Sequence, residues 1–126
     1  MVPVLLSKIM RNIFMVEDNQ DIREILDIFL TAEGYNVYPF GTVKEFKKRN
    51  PEIIPDLYLF DAMLPDGSGI DLCNEIKNNI NNKAAVIIMS ANMKIDQTRK
   101  LCIPDDYISK PFDLSDFLKK IQGVIL

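Results

Sequence analysis

The chain of 126 residues contains no histidine. A Ser-His-Asp triad and a histidine-based metal site are therefore both excluded. The chain also lacks an excess of positive charge, because 15 Lys and Arg residues against 18 Asp and Glu residues give a formal net charge of −3. Bulk electrostatic binding of nucleic acid needs a basic surface. We therefore predict no direct nucleic-acid binding.

Cysteines and long apolar runs are also scarce. Cys73 and Cys102 are the two cysteines, and they form neither a C-x-x-C motif nor a repeated framework. We interpret them as reduced thiols of a cytosolic protein. No apolar run approaches the length of a membrane span, so a cytoplasmic location without a membrane partner is predicted. Residues 1–9 are apolar with one lysine, but too short and poorly flanked for a signal peptide.

The residues that are present have the balance of an ordinary globular domain, with 48% hydrophobic and 26% charged. A chain of this length fits one domain with a core large enough to fold without disulfides or metals. We predict a single domain over residues 1–126, with its core at about 9–126. Residues 1–8 are interpreted as an extension, either native or a cloning remnant.

Short apolar runs alternate with segments of helical spacing along the whole chain. The runs predicted as strands are 13–16, 35–40, 57–60, 84–89 and 107–109. Five strands alternating with helices indicate a parallel sheet covered by helices on both faces. Pro39 predicts that the second strand is an edge strand or that it ends near this residue. Segment 93–101 is the least decisive, because its apolar residues are too sparse for a firm helix assignment.

Capping residues mark the ends of several predicted helices. Asn19 is a predicted N-cap, and Gly34 supplies the C-terminal stop of the first helix. Thr42 and Glu45 have the spacing of a capping box, and Asp113 or Ser115 begins the last helix.

Polar side chains follow four of the predicted strands. They are Glu17, Asp18, Asp61, Ser90 and Lys110. Right-handed crossovers bring the carboxyl ends of parallel strands to one edge of the sheet, so these residues should meet there. Taken alone, each has an ordinary structural explanation. Asp61 could simply begin a turn, Ser90 could be a strand-end hydroxyl, and Lys110 could be a solvated surface charge. Their convergence is what indicates function.

Such a set of side chains suits phosphoryl transfer. Three close carboxylates repel one another, and a hard divalent cation such as Mg²⁺ or Mn²⁺ would offset that repulsion. Lys110 and Ser90 could hold the oxygens of a phosphoryl group. Asp61 is the candidate nucleophile, since a carboxylate can accept phosphoryl as an acyl phosphate.

The motifs together resemble the receiver domain of bacterial two-component response regulators. They are Glu17-Asp18, Asp61-Ala62-Met63-Leu64-Pro65-Asp66-Gly67-Ser68-Gly69, Ser90-Ala91 and Tyr107-Ile108-Ser109-Lys110-Pro111-Phe112. The resemblance covers the chain from about residue 11 to its end. It implies a flavodoxin-like (βα)₅ fold of three α/β/α layers, with a doubly wound five-stranded parallel sheet of order 2-1-3-4-5.

The same resemblance implies a role for each motif. Asp61 would be the phospho-acceptor, and Glu17, Asp18, Asp61 and the backbone carbonyl of Met63 would bind the metal. Lys110 would contact the phosphoryl group. Ser90 and Tyr107 would be the switch residues, and a cis peptide bond would precede Pro111.

The implied function is a phosphorylation-dependent signalling switch in a phosphorelay. Its expected phosphodonor is a histidine kinase or a histidine phosphotransfer protein, and its expected target is an output domain or an effector protein. A phosphorylation-dependent homodimer is a further expectation. The chain would not be a dedicated enzyme, although it would assist its own phosphorylation and dephosphorylation. Ile103-Pro104 stands where the family usually has a Gly-Ala pair, and the segment before it is short. The length and position of the fourth helix are therefore not predicted.

Two other functions compete at this point. A haloacid-dehalogenase-like, Mg²⁺-dependent phosphohydrolase also uses an aspartyl nucleophile, but Met63 stands where such an enzyme needs a second aspartate. A flavodoxin needs a phosphate-binding loop after the first strand. Here that position carries Glu17-Asp18, which would repel the FMN phosphate.

Overall fold

The computed structural model describes residues 10–98 and 102–125, so the proposed extension 1–8 lies outside the described residues. The strands are β1 (Asn12–Val16), β2 (Asn36–Phe40), β3 (Leu57–Asp61), β4 (Met63–Leu64), β5 (Gly67–Ser68), β6 (Ala85–Ser90) and β7 (Asp106–Ser109). The helices are α1 (Gln20–Ala32), α2 (Val43–Lys47), α3 (Gly69–Lys77), α4 (Met93–Thr98) and α5 (Leu114–Val124). None of the described helices is long and apolar enough to cross a bilayer.

Five strands form one parallel sheet in the order β2-β1-β3-β6-β7. This is the predicted 2-1-3-4-5 order, because β6 and β7 are the fourth and fifth strands of the sheet. β2 lies at an edge, which is one of the two alternatives that Pro39 predicted. Just beyond β3, the two short strands β4 and β5 pair as an antiparallel hairpin.

The three inner strands β1, β3 and β6 are buried on both faces, which explains why they are nearly continuous apolar runs rather than alternating ones. Successive residues of a strand point to opposite faces. One face packs on α2 and α3 and includes Phe14, Val16, Phe46, Tyr58, Phe60, Leu72, Cys73, Val86, Ile88 and Cys102. The other packs on α1 and α5 and includes Ile13, Met15, Leu26, Leu30, Leu57, Leu59, Ile87, Met89, Phe117 and Ile121.

The helices begin where the capping residues predicted. The side chain of Asn19 accepts a hydrogen bond from the Ile22 amide at 3.0 Å, and Asp113 caps α5 in the same way. Thr42 accepts from the Glu45 amide at 3.0 Å. Gly34 follows α1 with a φ of +97°, a conformation that favours glycine. The Lys110–Pro111 peptide bond is cis, as the resemblance implied.

The interpretation of Cys73 and Cys102 as free thiols is wrong in this structure. The two residues form a disulfide, with their Cα atoms 6.0 Å apart. Cys73 lies on α3 and Cys102 lies in the segment before β7, and both pack on the same face of the sheet. Their sequence separation of 29 residues carries no pairing signal, because the sheet crossovers alone bring them together.

In the segment 93–101, where apolar residues are sparse, Met93–Thr98 form α4. Residues 99–101, the end of that segment, lie outside the described residues.

Gly69 is required by a close approach between α3 and the end of β3. Its amide donates to the carbonyl oxygen of Ala62 at 3.1 Å. A Cβ at position 69 would collide with the carbonyl oxygen of Asp61 and would lie 2.9 Å from its carbonyl carbon. Both of those atoms belong to backbone, so neither can turn aside.

We therefore expect Gly69→Ala to lower the free energy of unfolding by about 2 to 3 kcal/mol, because overpacking strains the backbone. Gly123→Ala is the matched control. It lies in α5 with open space around its missing Cβ, and should raise stability by about 0.5 to 1 kcal/mol. Urea unfolding of both variants measures the effect. Equal stability of Gly69→Ala and the wild type would contradict the close approach.

Candidate functional site

The predicted polar residues lie at the carboxyl edge of the parallel sheet. Glu17 follows β1, Asp61 ends β3, Ser90 ends β6 and Lys110 follows β7. Carboxylate oxygens of Glu17, Asp18 and Asp61 all lie within 4.8 Å of one another. The sheet order therefore brings together three acids that are 44 residues apart along the chain at their widest.

Lys110 bridges two of these acids. Its Nζ donates to Oε1 of Glu17 at 2.6 Å and to Oδ2 of Asp61 at 3.1 Å. Burial opposes the lysine charge, but the hydrogen bonds and negative charges of Glu17 and Asp61 raise the pKa of Lys110 above its ordinary value. The lysine is therefore held as a cation at the centre of the site. Its backbone amide also donates to the carbonyl oxygen of Ser90 at 2.7 Å.

The two neighbouring acids Glu17 and Asp18 have different surroundings. Glu17 is fully buried, and its Oε2 accepts from the Asn19 amide at 3.1 Å. Asp18 is exposed to solvent at the mouth of the site. Arg23 supports the pair from α1, since its Nη1 donates to the Glu17 carbonyl oxygen at 2.8 Å. Arg23 was missed from sequence, because an arginine in a first helical turn carries no distinguishing signal.

The environment of Asp61 disfavours its charged form. Burial is the largest cause, and the negative charge of Glu17 adds to it, while Lys110 opposes both. Together they raise the pKa of Asp61 to about 7.

Three carboxylates facing one ammonium leave an excess of negative charge at the site. The side-chain atoms of Glu17, Asp18 and Asp61 that could bind a metal are all oxygens. This donor set fits a hard divalent cation.

Ser90 and Tyr107 lie on β6 and β7, the last two strands of the parallel sheet. Ser90 is fully buried, and its hydroxyl donates to Oδ2 of Asp96 on α4. Tyr107 pairs in register with Ile88 and packs, partly buried, on the α2–α3 face. Asp96 was not singled out from the sequence, because an acid in a first helical turn is common at exposed positions.

Met63 lies in β4, two residues after Asp61, and its side chain is 76% exposed. Its backbone amide donates to Oδ1 of Asp61 at 3.4 Å. Next to Lys110, an apolar pocket of about 500 Å³ opens between α1 and the segment after β7. Its lining includes Ile22, Ile25, Phe112 and Leu114.

Comparison with known proteins agrees with this arrangement. A family model described as the response regulator receiver domain matches residues 13–122. The chain belongs to the response regulator receiver domains.

Relatives of this receiver domain include named regulators. The response regulator ArlR of Staphylococcus epidermidis is 32% identical over 92% of this chain and 53% of its own length. The transcriptional regulatory protein GltR of Pseudomonas aeruginosa is 30% identical over 91% of this chain and 49% of its own length. The receiver domain thus spans about half the length of these curated relatives.

Solved structures show the same fold. The response regulator TrrA of Thermotoga maritima, in complex with Mg²⁺-BeF, superposes with a TM-score of 0.78 at 26% identity. The match covers 92% of this chain and 100% of that one. The receiver domain is therefore a phosphorylation-dependent switch module of two-component signalling, as its family is.

The raised pKa of Asp61 predicts a pH-dependent cost to folding in metal-free solution. Its pKa is about 7 when folded and 3.8 as the ordinary value. The folded state therefore holds the proton more tightly, and this group destabilises the fold increasingly from pH 4 to pH 7. Asp61→Asn should be more stable than wild type by about 2 kcal/mol at pH 8, after allowance for solvent screening, and by little at pH 4.

Urea unfolding in EDTA across this pH range measures the difference between the two proteins. Asp71→Asn serves as the control, because Asp71 is exposed on α3. A wild-type protein more stable than Asp61→Asn at pH 8 would contradict the predicted repulsion.

Proposed function

We propose that Asp61 accepts a phosphoryl group and that Lys110 holds that group by a charge-assisted hydrogen bond. The observation that supports this is the Lys110 ammonium held between Glu17 and Asp61 at the carboxyl edge of the sheet. Glu17, Asp18, Asp61 and the backbone carbonyl of Met63 would hold Mg²⁺ or Mn²⁺. When bound, such a cation would offset negative charge on the acceptor and on the phosphoryl oxygens.

The donor is a phosphohistidine of a histidine kinase or of a histidine phosphotransfer protein. A carboxylate oxygen of Asp61 attacks phosphorus in line, an O–P bond forms, and the P–N bond to histidine breaks. The imidazole nitrogen leaves with the electron pair of that bond. Lys110 turns from Asp61 toward a phosphoryl oxygen while it keeps its contact with Glu17. Lys110 thus stays paired with negative charge, first on the Asp61 carboxylate and then on the phosphoryl oxygen.

The apolar pocket beside Lys110 supports a protein donor. It lies between α1 and the segment after β7, next to the acceptor site, where a protein that presents a phosphohistidine must approach. Ile25 contributes to it and is 54% exposed. Apolar contacts of this kind would give the donor protein affinity without burying charges.

The switch follows from Ser90 and Tyr107. A phosphoryl group on Asp61 would draw the Ser90 hydroxyl toward it, and Tyr107 would move into the space that is released. The changed surface would bind an output domain, an effector protein or a second copy of the domain. The chain works as a phospho-acceptor that assists its own phosphorylation and dephosphorylation, rather than as a dedicated enzyme.

We place the protein in the cytoplasm, since several of its relatives are named as transcriptional regulatory proteins.

Incubation with acetyl phosphate and Mg²⁺ should add one phosphoryl group to the wild-type protein, seen by intact mass. Asp61→Asn should gain none, because an amide is not a competent nucleophile, and EDTA should abolish labelling of the wild type. Asp71→Asn should be labelled like the wild type. Full labelling of Asp61→Asn, or labelling in EDTA, would overturn the proposed acceptor and its metal dependence.

The lifetime of the phosphorylated state should depend on Met63. Hydrolysis of an acyl phosphate needs a water in line with phosphorus, and a thioether is too weak an acceptor to hold one. The exposed Met63 side chain lies beside the acceptor, while Asn92 could orient water from the other side. We expect slower phosphoryl loss from the wild type than from Met63→Asn, measured by mass at fixed Mg²⁺. Equal rates would show that Met63 does not govern water access.

A further inference from the structure

The hydroxyl group of Ser90 is already fully engaged. It donates its hydrogen to Oδ2 of Asp96 and accepts a hydrogen bond from the Asn92 amide at 3.0 Å. A serine hydroxyl carries one hydrogen. In this arrangement Ser90 therefore has no hydrogen to donate to a phosphoryl oxygen on Asp61, and it must leave Asp96 to do so.

Asp96 is an unusual partner, because it is only 6% exposed although it lies in the first turn of α4. Aspartates are rarely buried unless they are paired, since loss of hydration disfavours the charge. The Asp96 amide donates to the carbonyl oxygen of Asn92 at 3.0 Å within the first turn of α4, so the side chain of Asp96 is what joins α4 to Ser90 at the end of β6. A hydrogen bond to a carboxylate is stronger than one between neutral groups.

Asp96 also lies close to the other switch residue. Burial is the main cause that raises the pKa of Tyr107, and the negative charge of Asp96 is the next. The carboxylate of Asp96 therefore acts on the phenol of Tyr107 as well as on the hydroxyl of Ser90. The Asp96 side chain on α4 therefore interacts with both Ser90 and Tyr107.

We propose that Asp96 is a positioning residue that competes with the phosphoryl group for the Ser90 hydroxyl hydrogen and so stabilises the unphosphorylated conformation. The inference rests on the proposed function of Asp61 and Ser90. When Ser90 turns to the phosphoryl group, no covalent bond changes, but Asp96 loses its donor. A buried carboxylate without a donor is costly, so Asp96 moves toward solvent and α4 moves with it. The loss of one hydrogen bond thereby transmits phosphorylation to the surface.

Beryllofluoride is a non-covalent mimic of the phosphoryl group, and its binding in the presence of Mg²⁺ tests the proposal. The apparent Kd of beryllofluoride is measured from the NMR shifts of the Lys110 and Asn92 amides. Asp96→Asn removes the charge and keeps an acceptor oxygen, whereas Asp96→Ala removes the acceptor. We expect about fivefold tighter binding for Asp96→Asn and tighter still for Asp96→Ala. Asp71→Asn is the matched control, because Asp71 is also a first-turn aspartate but is exposed on α3. It should bind like the wild type.

Ser90→Ala separates positioning from a general structural role. If Asp96 acts through the Ser90 hydroxyl, Asp96→Asn should leave the Kd unchanged in the Ser90→Ala background. An effect of equal size in both backgrounds would overturn the inference, as would equal Kd values for wild type, Asp96→Asn and Asp96→Ala. Thermal unfolding of each variant establishes that it is folded, and Asp96→Asn suffices if Asp96→Ala does not fold.

The two proposals fail in different ways. A wild-type protein that binds beryllofluoride but does not respond to the Asp96 substitutions would leave Asp61 as the acceptor and would reject only the role of Asp96. A wild-type protein that neither binds beryllofluoride nor gains a phosphoryl group would overturn both.

Discussion

The ammonium group of Lys110 lies between the carboxylates of Glu17 and Asp61, and the rest of the site depends on this contact. Two acids buried at the edge of a sheet repel each other, and one lysine offsets only part of that repulsion. The remaining negative charge keeps the Asp61 pKa high and makes the site receptive to a cation. Under the proposed function, the same charge balance that is expected to cost stability in the metal-free protein would prepare Asp61 for phosphoryl transfer.

The sheet makes this arrangement rigid. β3 is buried along its whole length, so the backbone that carries Asp61 has little freedom. Gly69 lets the start of α3 approach the Asp61 carbonyl closely, and the Lys110 amide is bonded to the Ser90 carbonyl on the neighbouring strand. The backbones of Asp61, Lys110 and Ser90 are thus held by these contacts. Their side chains alone need to move when the charge at the site changes.

The contact between Ser90 and Asp96 gives that movement a route to the surface. A hydroxyl with a single hydrogen can serve either Asp96 or a phosphoryl oxygen, but not both. The choice is a two-state element whose balance a charge at Asp61 can shift. Asp96 joins α4 to the end of β6 through its side chain. A rearrangement of the Ser90 hydroxyl therefore changes the contact that holds α4 to the sheet.

Local sequence determined the five strands of the parallel sheet and most helix starts, whereas the order of the strands came from the resemblance to receiver domains. Apolar runs such as Leu57–Phe60 need two covered faces, and short polar side chains such as Asn19 satisfy free amides wherever a helix begins. Parallel topology then placed the acids and Lys110 at one edge. Tertiary structure alone decided the Cys73–Cys102 bond and the pairing of Ser90 with Asp96. Both depend on how the crossover segments pack over the sheet, and residue type and spacing carry no information about that distance.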